Sequence, residues 1–450
     1  MKITLRHGKL PTSRIKNAYS FAFAGGLALI SLGIAGAPVA CAEEPPGRDT
    51  NAILVELEAL QSEQNRLAEK IEDLEKRLSE TVSEASAVSI MSPSDTILLP
   101  SGGGNGAPLI SDQLEVSGDM LFRYEGNFSS GSSPDRGRGV MRARLKADYQ
   151  VNDRLSIGAL IETGDPDDPN SGYLTFDEFG DDFDISLSRA FAQYKFGNSE
   201  ISVGKFPNPF INTDLVWDGD VNPVGLSGSS DLISGSQIQL HAAGLFFIID
   251  EDAAGADSYM TGGQLALTWD ADRNIQIRMA TSYLDYQLGS VGGADAGDFL
   301  TNLRTPEGEY LSDFDLLDVL LSAKWTAISD RWPIEMTVDL VRNSGAATDD
   351  DEAFGLDMVF GRASLPGDWS VQYGYSETEV DAVLGAFSHD NYSISTNYMS
   401  HEIGLKYVLS EHAWLGGSVY HYKPLRSRYA VSFPSDEWMD RLRLNLGLSF

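Results

Sequence analysis

The 450-residue chain is short of several things, and each shortage excludes something. It holds one cysteine, Cys41, which rules out a disulfide scaffold and a cysteine-based zinc cluster. Basic side chains are scarce, 33 against 66 acidic, for a formal net charge of −33. A surface of that sign repels a polyanion, so nucleic acid is not an expected partner. After residue 42 no run approaches the ~20 uncharged apolar residues that a membrane helix needs. Enzyme signatures are missing too: there is no G-x-S-x-G elbow, no phosphate loop and no H-E-x-x-H. His241, His401, His412 and His421 are scattered. No catalytic residue, cofactor or metal centre is therefore expected.

The N-terminus reads as an export signal over 1–42. Lys2, Arg6, Lys9, Arg14 and Lys16 form a basic lead, Phe21 to Ala40 is uncharged and apolar, and Ala40-Cys41-Ala42 is a small-x-small cleavage site. Two other readings make Cys41 a lipid acceptor or retain the segment as a helical anchor. Residues 43–82 follow as a coiled coil. Leu57, Gln64, Ile71 and Leu78 occupy a, while Ile53, Leu60, Leu67, Leu74 and Thr81 occupy d. That is roughly 43 Å of helix at 1.5 Å per residue. The alternative is one amphipathic helix packed on a globular body. Residues 83–113, with Ser101-Gly102-Gly103-Gly104-Asn105-Gly106, read as a flexible linker.

From Leu114 the texture changes to short alternating runs. The spacing predicts strands over 114–125, 139–150, 155–163, 184–196, 199–205, 231–242, 244–250, 258–270, 273–286, 314–327, 331–342, 353–364, 367–380, 399–409, 412–423 and 440–450. In the last, Leu442, Leu444, Leu446, Leu448 and Phe450 alternate with Arg441, Arg443, Asn445, Gly447 and Ser449. Every second gap is tight, and the others are mostly long. A soluble sandwich has no reason to sort loops by parity. An outer-membrane barrel does, with short periplasmic turns and long external loops. Trp269, Trp325, Trp332, Trp369 and Trp414 beside tight turns suggest an interfacial girdle. The expected fold is all-β: a transmembrane antiparallel β-barrel of about 16 strands over 114–450, preceded by the α-helical coiled coil on the periplasmic side.

Two constellations fall on the expected lumen. Arg123, Arg142, Arg144, Lys146, Arg189 and Lys195, with Arg441 and Arg443 on the last strand, form a basic arc once the last strand pairs with the first. Such an arc sets a transverse field; equally, these residues could pair with Asp119, Glu125 and Asp148 across strands. The second is the segment 203–225, which falls in the gap 206–230. If it folds inward, Lys205, Asp214, Trp217, Asp218 and Asp220 would narrow the pore. Asp218, Asp220 and Asn222 also resemble the start of a calcium loop, but Pro223 stands where the turn glycine belongs and Ser229 where the bidentate glutamate belongs. The acidic stretches at Asp165–Asp168, Asp177–Asp182 and Asp349–Glu352 read either as solvated loops or as holders of divalent ions.

Gly204-Lys205, Asn208-Pro209-Phe210, Leu215-Val216-Trp217-Asp218, Asp220, Pro223 and Gly225 resemble a motif of the bacterial outer-membrane family of "putative porins". Val224 stands where that family often has glutamate. The resemblance extends more weakly over 114–450. It implies a diffusion channel for small hydrophilic solutes or ions in the outer membrane, surrounded by lipid, with an N-terminal coiled coil in some members. Together with the coiled coil it leads to the expectation of a homotrimer. Phe450 on an alternating strand resembles the signal read by the barrel-assembly machinery. The competing expectation is a structural or adhesion protein, a plugged barrel tethered by its coiled coil.

Overall fold

A computed structural model describes residues 113–129, 135–165, 168, 171–176, 183–251, 253, 255–289, 301–329, 331–430 and 437–450. The export signal 1–42, the coiled coil 43–82 and nearly all of the linker 83–113 lie outside the described residues. So does the acidic stretch 177–182.

The described chain forms β1 (Leu114–Ser129), β2 (Arg136–Gln150), β3 (Leu155–Thr163), β4 (Leu174–Thr175), β5 (Ile185–Phe196), β6 (Ser199–Lys205), β7 (Val224–Ser234), β8 (Ile238–Asp250), β9 (Ser258–Asp270), β10 (Ile275–Gln287), β11 (Phe314–Trp325), β12 (Ile334–Asn343), β13 (Glu352–Phe360), β14 (Trp369–Thr378), β15 (Tyr398–Ser410), β16 (Ala413–Pro424) and β17 (Met439–Ser449). All but β4 pair antiparallel, each with its neighbours in sequence, into a ring of sixteen. The ring closes where β17 meets β1, from Asp119 opposite Ser449 to Ser129 opposite Met439. Gly118 and Phe450 extend that seam, exchanging backbone bonds of 3.2 and 3.0 Å. The short β4 lies against β2 at Val140 and Met141 and was not expected.

Side-chain period 2 makes this fold. Leu444, Leu446 and Leu448 are exposed on the outer face, while Arg441 and Arg443 on the alternate positions are buried inside. Among the described residues the closed ring of sixteen strands has no unpaired edge, as a hydrocarbon environment requires. The loop-length parity is present, with tight turns at 197–198, 235–237 and 411–412 and long connections at 164–184, 206–223, 288–313 and 379–397.

Three details differ from the sequence reading. β7 starts at Val224 and turns at 235–237, so no turn interrupts β8 near Ala243. The run Gly225-Leu226-Ser227-Gly228-Ser229-Ser230 reads as loop because its residues are small, yet Leu226 faces outward and Ser227 is buried inside. The connections 326–333 and 361–368 are longer than expected. They are held by Trp332, which stacks 5.5 Å from Phe360 and meets Trp369 at a tilt, 4.5 Å away. Finally, Trp269, Trp325 and Trp369 are exposed on the outer face, but Trp414 alternates with the exposed Leu415 and turns inward. Its ring covers Gly447 and Gly416, two sites where a missing side chain leaves room for it.

The hydrophobic core lies inside the barrel, on one side. Phe206, Phe210, Leu215, Trp217 and Val221 from the connection 206–223 pack with Val383, Leu384 and Phe387 from 379–397. Both sets rest on inward Leu245, Phe247, Met260, Leu284, Tyr286, Phe314 and Leu316 of β8–β11. The wall from β13 through β17 to β5 instead carries Asp357, Gln372, Glu402, Asn445 and the arginines. The interior is thus divided into an apolar half filled by two loops and a polar half.

Candidate functional site: two inward loops across the lumen

The connection 206–223 begins and ends at two glycines directly opposite each other, Gly204 and Gly225. Both have positive φ, +113° and +148°. A Cβ would sit 2.3 Å from the Ala190 carbonyl oxygen at Gly204 and 2.1 Å from that of Phe246 at Gly225. Only glycine fits. The neck is closed by a bond of 3.0 Å from the Phe206 N–H to the Pro223 carbonyl.

From this neck the loop crosses the barrel. Gln264 on β9 accepts from the Ile211 N–H at 2.8 Å and donates to the Ile211 carbonyl at 2.7 Å. The Thr213 hydroxyl donates to Asp339 on β12. The Trp217 indole donates to the Tyr286 hydroxyl on β10 at 2.9 Å. On the other side Asp220 accepts from Arg142 at 3.1 Å and Arg144 at 3.3 Å, both on β2. Asn222 accepts from Arg189 on β5 at 2.6 Å. β2 and β12 stand nearly opposite in the ring, so a loop bonded to both spans the interior.

The second loop, 379–397, was not singled out by sequence. It meets the first at several points. The Asp218 N–H donates to the Phe387 carbonyl at 2.8 Å and the His389 N–H to the Asp214 carbonyl at 3.1 Å. Asn391 accepts from Arg443 at 2.6 Å, and its carbonyl accepts from Arg441 at 2.9 Å. Asn302 anchors the loop from 288–313 through the carbonyls of Val380 and Val383, each at 2.9 Å. The sequence signal was there. Val380 to Phe387 contains one charged residue, Asp381, and an apolar run inside a long external loop has to be covered by something.

The anticipated site residues divide as follows. Trp217 is 1% exposed; it stacks on Phe210 and meets Phe247 and Phe387 edge-on. It anchors the loop and does not face water. Asp214 is exposed to the lumen, Asp218 and Asp220 are half-buried, and Lys205 is half-buried at the end of β6. Asp214 and Asp218 hold their protons above the ordinary carboxylate range. Enclosure by wall and loops is the main cause, followed for Asp214 by Asp390, Asp357 and Asp220, and for Asp218 by Asp214 and Asp390.

The basic residues lie on β17, β1, β2 and β5, and Arg144 and Arg443 pair across strands. Arg144 pairs with Asp119 at 2.8 Å, Lys146 with Asp148 at 2.7 Å and Arg443 with Glu125 at 2.8 Å. Arg441 binds Asn127 at 2.6 Å. Arg123 has amide and phenol partners, Asn445 at 2.8 Å and the Tyr173 hydroxyl at 2.9 Å, with the Tyr173 ring 4.1 Å beneath it. A bulge at Ser188 shifts the β3–β5 register and turns Arg189 inward. Asp220 and Asn222 are thus engaged with arginines, not poised around a cation. Among the described residues no group of three His, Cys, Asp or Glu is arranged to hold a metal ion. Of the acidic stretches, Asp350 ties the connection after β12 to the one after β16 through Arg426 at 3.3 Å, Arg428 and the Tyr429 hydroxyl.

The Glu125–Arg443 pair is buried, with side-chain exposures of 1% and 5%, and Arg138 adds a bond of 2.7 Å. Glu125→Leu should cost about 3–5 kcal/mol, because it leaves arginine charge buried without its partner. The check is the temperature at which the folded band is lost in heat-modified electrophoresis; no drop would contradict it.

Comparison with known proteins follows the same lines. A family model described as "Putative porin" matches residues 130–298 and 311–425. No curated protein matches by sequence. Among solved structures, Pseudomonas putida OprB at high pH aligns with a TM-score of 0.52 and 11% identity, over 76% of this chain and 95% of that one. Salmonella typhi OmpF in complex with daunomycin aligns at 0.47 and 12%, over 76% and 99%. The family and the closed barrel point to a channel rather than an enzyme and imply the outer membrane. With well over half its length matched, the chain belongs to the "Putative porin" family.

Proposed function

We propose that this protein is a passive diffusion channel for small hydrophilic solutes or ions. Solutes would cross the polar half of the lumen, between the loop 206–223 and the wall from β13 to β2. The observation that carries this reading is the two-sided anchoring of the loop, at Asp339 on one wall and at Arg142 and Arg144 on the other. In this reading Asp214 and Asp218 would face the arginine side of the lumen, and the loop would narrow the passage without filling it. The wall glycines Gly355, Gly374 and Gly404 lie at inward positions on that side and keep it wide. Residues 43–82 would stand in the periplasm, and Phe450 would be the residue read during barrel assembly.

A homotrimer is the assembly this reading favours. An apolar groove of about 640 Å³ on the outer face of β15–β17 and β1, lined by Phe122, Leu405, Leu415 and Leu444, offers a surface for a second copy. The packed core under the two loops supports one rival reading, a plugged barrel with a tethering or adhesive role.

Planar-bilayer recording of the purified protein under a salt gradient decides between them. Stable open steps, grouped in threes, are expected. A folded, heat-modifiable barrel that produces no steps would leave the tethering role.

A further inference from the structure

Where the two inward loops meet the β13–β15 wall they leave a cavity of about 270 Å³. Three carboxylates line it: Asp214 from the first loop, Asp357 from β13 and Glu402 from β15. None of them is within ion-pair distance of a basic side chain among the described residues. Neighbouring carboxylates repel one another, and a ligand bearing positive charge would relieve that.

A second observation is independent of the acids. His389 also lines the cavity. It is 3% exposed, and both its ring nitrogens lack a hydrogen-bond partner. Buried polar atoms are rarely left so, and such an exception asks for an explanation. Burial, with Arg443 and Arg441 nearby, drops its pKa to about 3, so at neutral pH the ring is uncharged and one nitrogen can accept a bond. Its ring meets Tyr392 at 4.4 Å and Tyr398 at 4.9 Å, and those two rings are 4.9 Å apart. Aromatic faces beside carboxylates attract organic cations.

We propose that this cavity is a binding site for a small aliphatic amine entering the channel, with the ammonium held by Asp214, Asp357 and Glu402 and donating to a His389 ring nitrogen, and the methylenes against the Tyr392 and Tyr398 rings. The proposal rests on the channel reading and names its solute class. The carboxylates do not converge as metal ligands would, so they suit an elongated cation better than a point charge. The volume falls just below the ~300–1,000 Å³ of drug-sized pockets, which suits a ligand of a few heavy atoms.

The test uses the folded full chain in detergent, with titration calorimetry of 1,4-diaminobutane against 1,4-butanediol, its uncharged isostere, at fixed ionic strength. The diamine should bind and the diol should not. Asp357→Asn and Glu402→Gln should each weaken binding by about tenfold or more. His389→Phe, which keeps the ring and removes the nitrogens, should weaken it less. Because Asp357→Asn could impair folding, Gln372→Glu serves as the opposite variant: an added acid at the cavity wall should tighten binding. Equal heats for diamine and diol, or wild-type affinity in both weakened variants, would overturn the site. The bilayer separates the two levels of inference. Conductance without diamine binding removes the site and leaves the channel, whereas binding without conductance removes the channel and leaves the site.

Discussion

Trp217→Ala should raise the open-channel conductance and make it noisy while leaving the barrel folded. Trp217 is buried by Phe210, Phe247 and Phe387, and its indole N–H is bonded to Tyr286. Removing an aromatic side chain from such packing costs about 3–5 kcal/mol, and the Tyr286 hydroxyl is left buried without a partner. The sixteen strands lose none of their own pairing. The loss therefore falls on the loop's hold on the wall, and the loop samples positions farther from it. Single-channel recording gives the conductance, and heat-modified electrophoresis shows whether the barrel survives. Trp217→Phe should be intermediate, keeping most of the packing and losing the bond. Conductance and noise identical to the parent protein would mean that the loop does not bound the passage.

The second large effect is a change of ion preference with pH. The arginines of the arc stay charged throughout. Asp214 and Asp218 do not, since both titrate above the ordinary carboxylate range. In acid they are neutral and the arc governs, favouring anions. As pH rises through and above that range they ionise, and preference moves toward cations. One unit charge at ~4 Å in water is worth about 1 kcal/mol, or about fivefold in the permeability ratio. The facing groups are Asp390, Asp357 and Asp220, which add to the negative potential, and Asn391, which softens it. The stability sign follows the same shifts. A raised folded-state pKa means that the ionised form is disfavoured, so stability contributed below the unfolded carboxylate pKa is lost as pH rises through the folded value. The loop junction should therefore be tightest in acid. Reversal potential across a pH series measures the effect, and Asp214→Asn with Asp218→Asn should flatten it. A wild-type slope in that double variant would assign the titration to other groups.

Much of this barrel was legible because strand periodicity writes the inside and outside of the wall directly into alternate residues. β2 and β17 are the clearest cases: their arginines alternate with apolar residues and lie inside. The basic arc followed from that alternation and from closure of the last strand on the first. What sequence reading missed arises from contacts between distant segments. Trp217 was placed in the passage because its neighbours are aspartates; only the apolar wall of β8–β11 shows why it turns away. The loop 379–397 passed for an external connection, since nothing local says that Phe387 meets Trp217. Gln264 and Asp339 look like ordinary polar positions in a wet interior until the first loop arrives to bond them. Trp414 sits beside a tight turn like its outward counterparts, and the glycine directly opposite it on the next strand, Gly447, leaves the room that decides its direction.

The glycine pair at the base of the first loop has a consequence for how such a channel can be altered. Gly204 and Gly225 take up the whole geometric demand of leaving and rejoining the wall. The twenty positions between them, 205–224, take part only in what happens inside the barrel, against the lumen and the inward side chains of the wall. Exchanging that insert as a unit would leave β6, β7 and their turn geometry untouched, provided the two glycines remain, and the matching changes would fall on its inward partners Gln264, Tyr286, Asp339, Arg142 and Arg144.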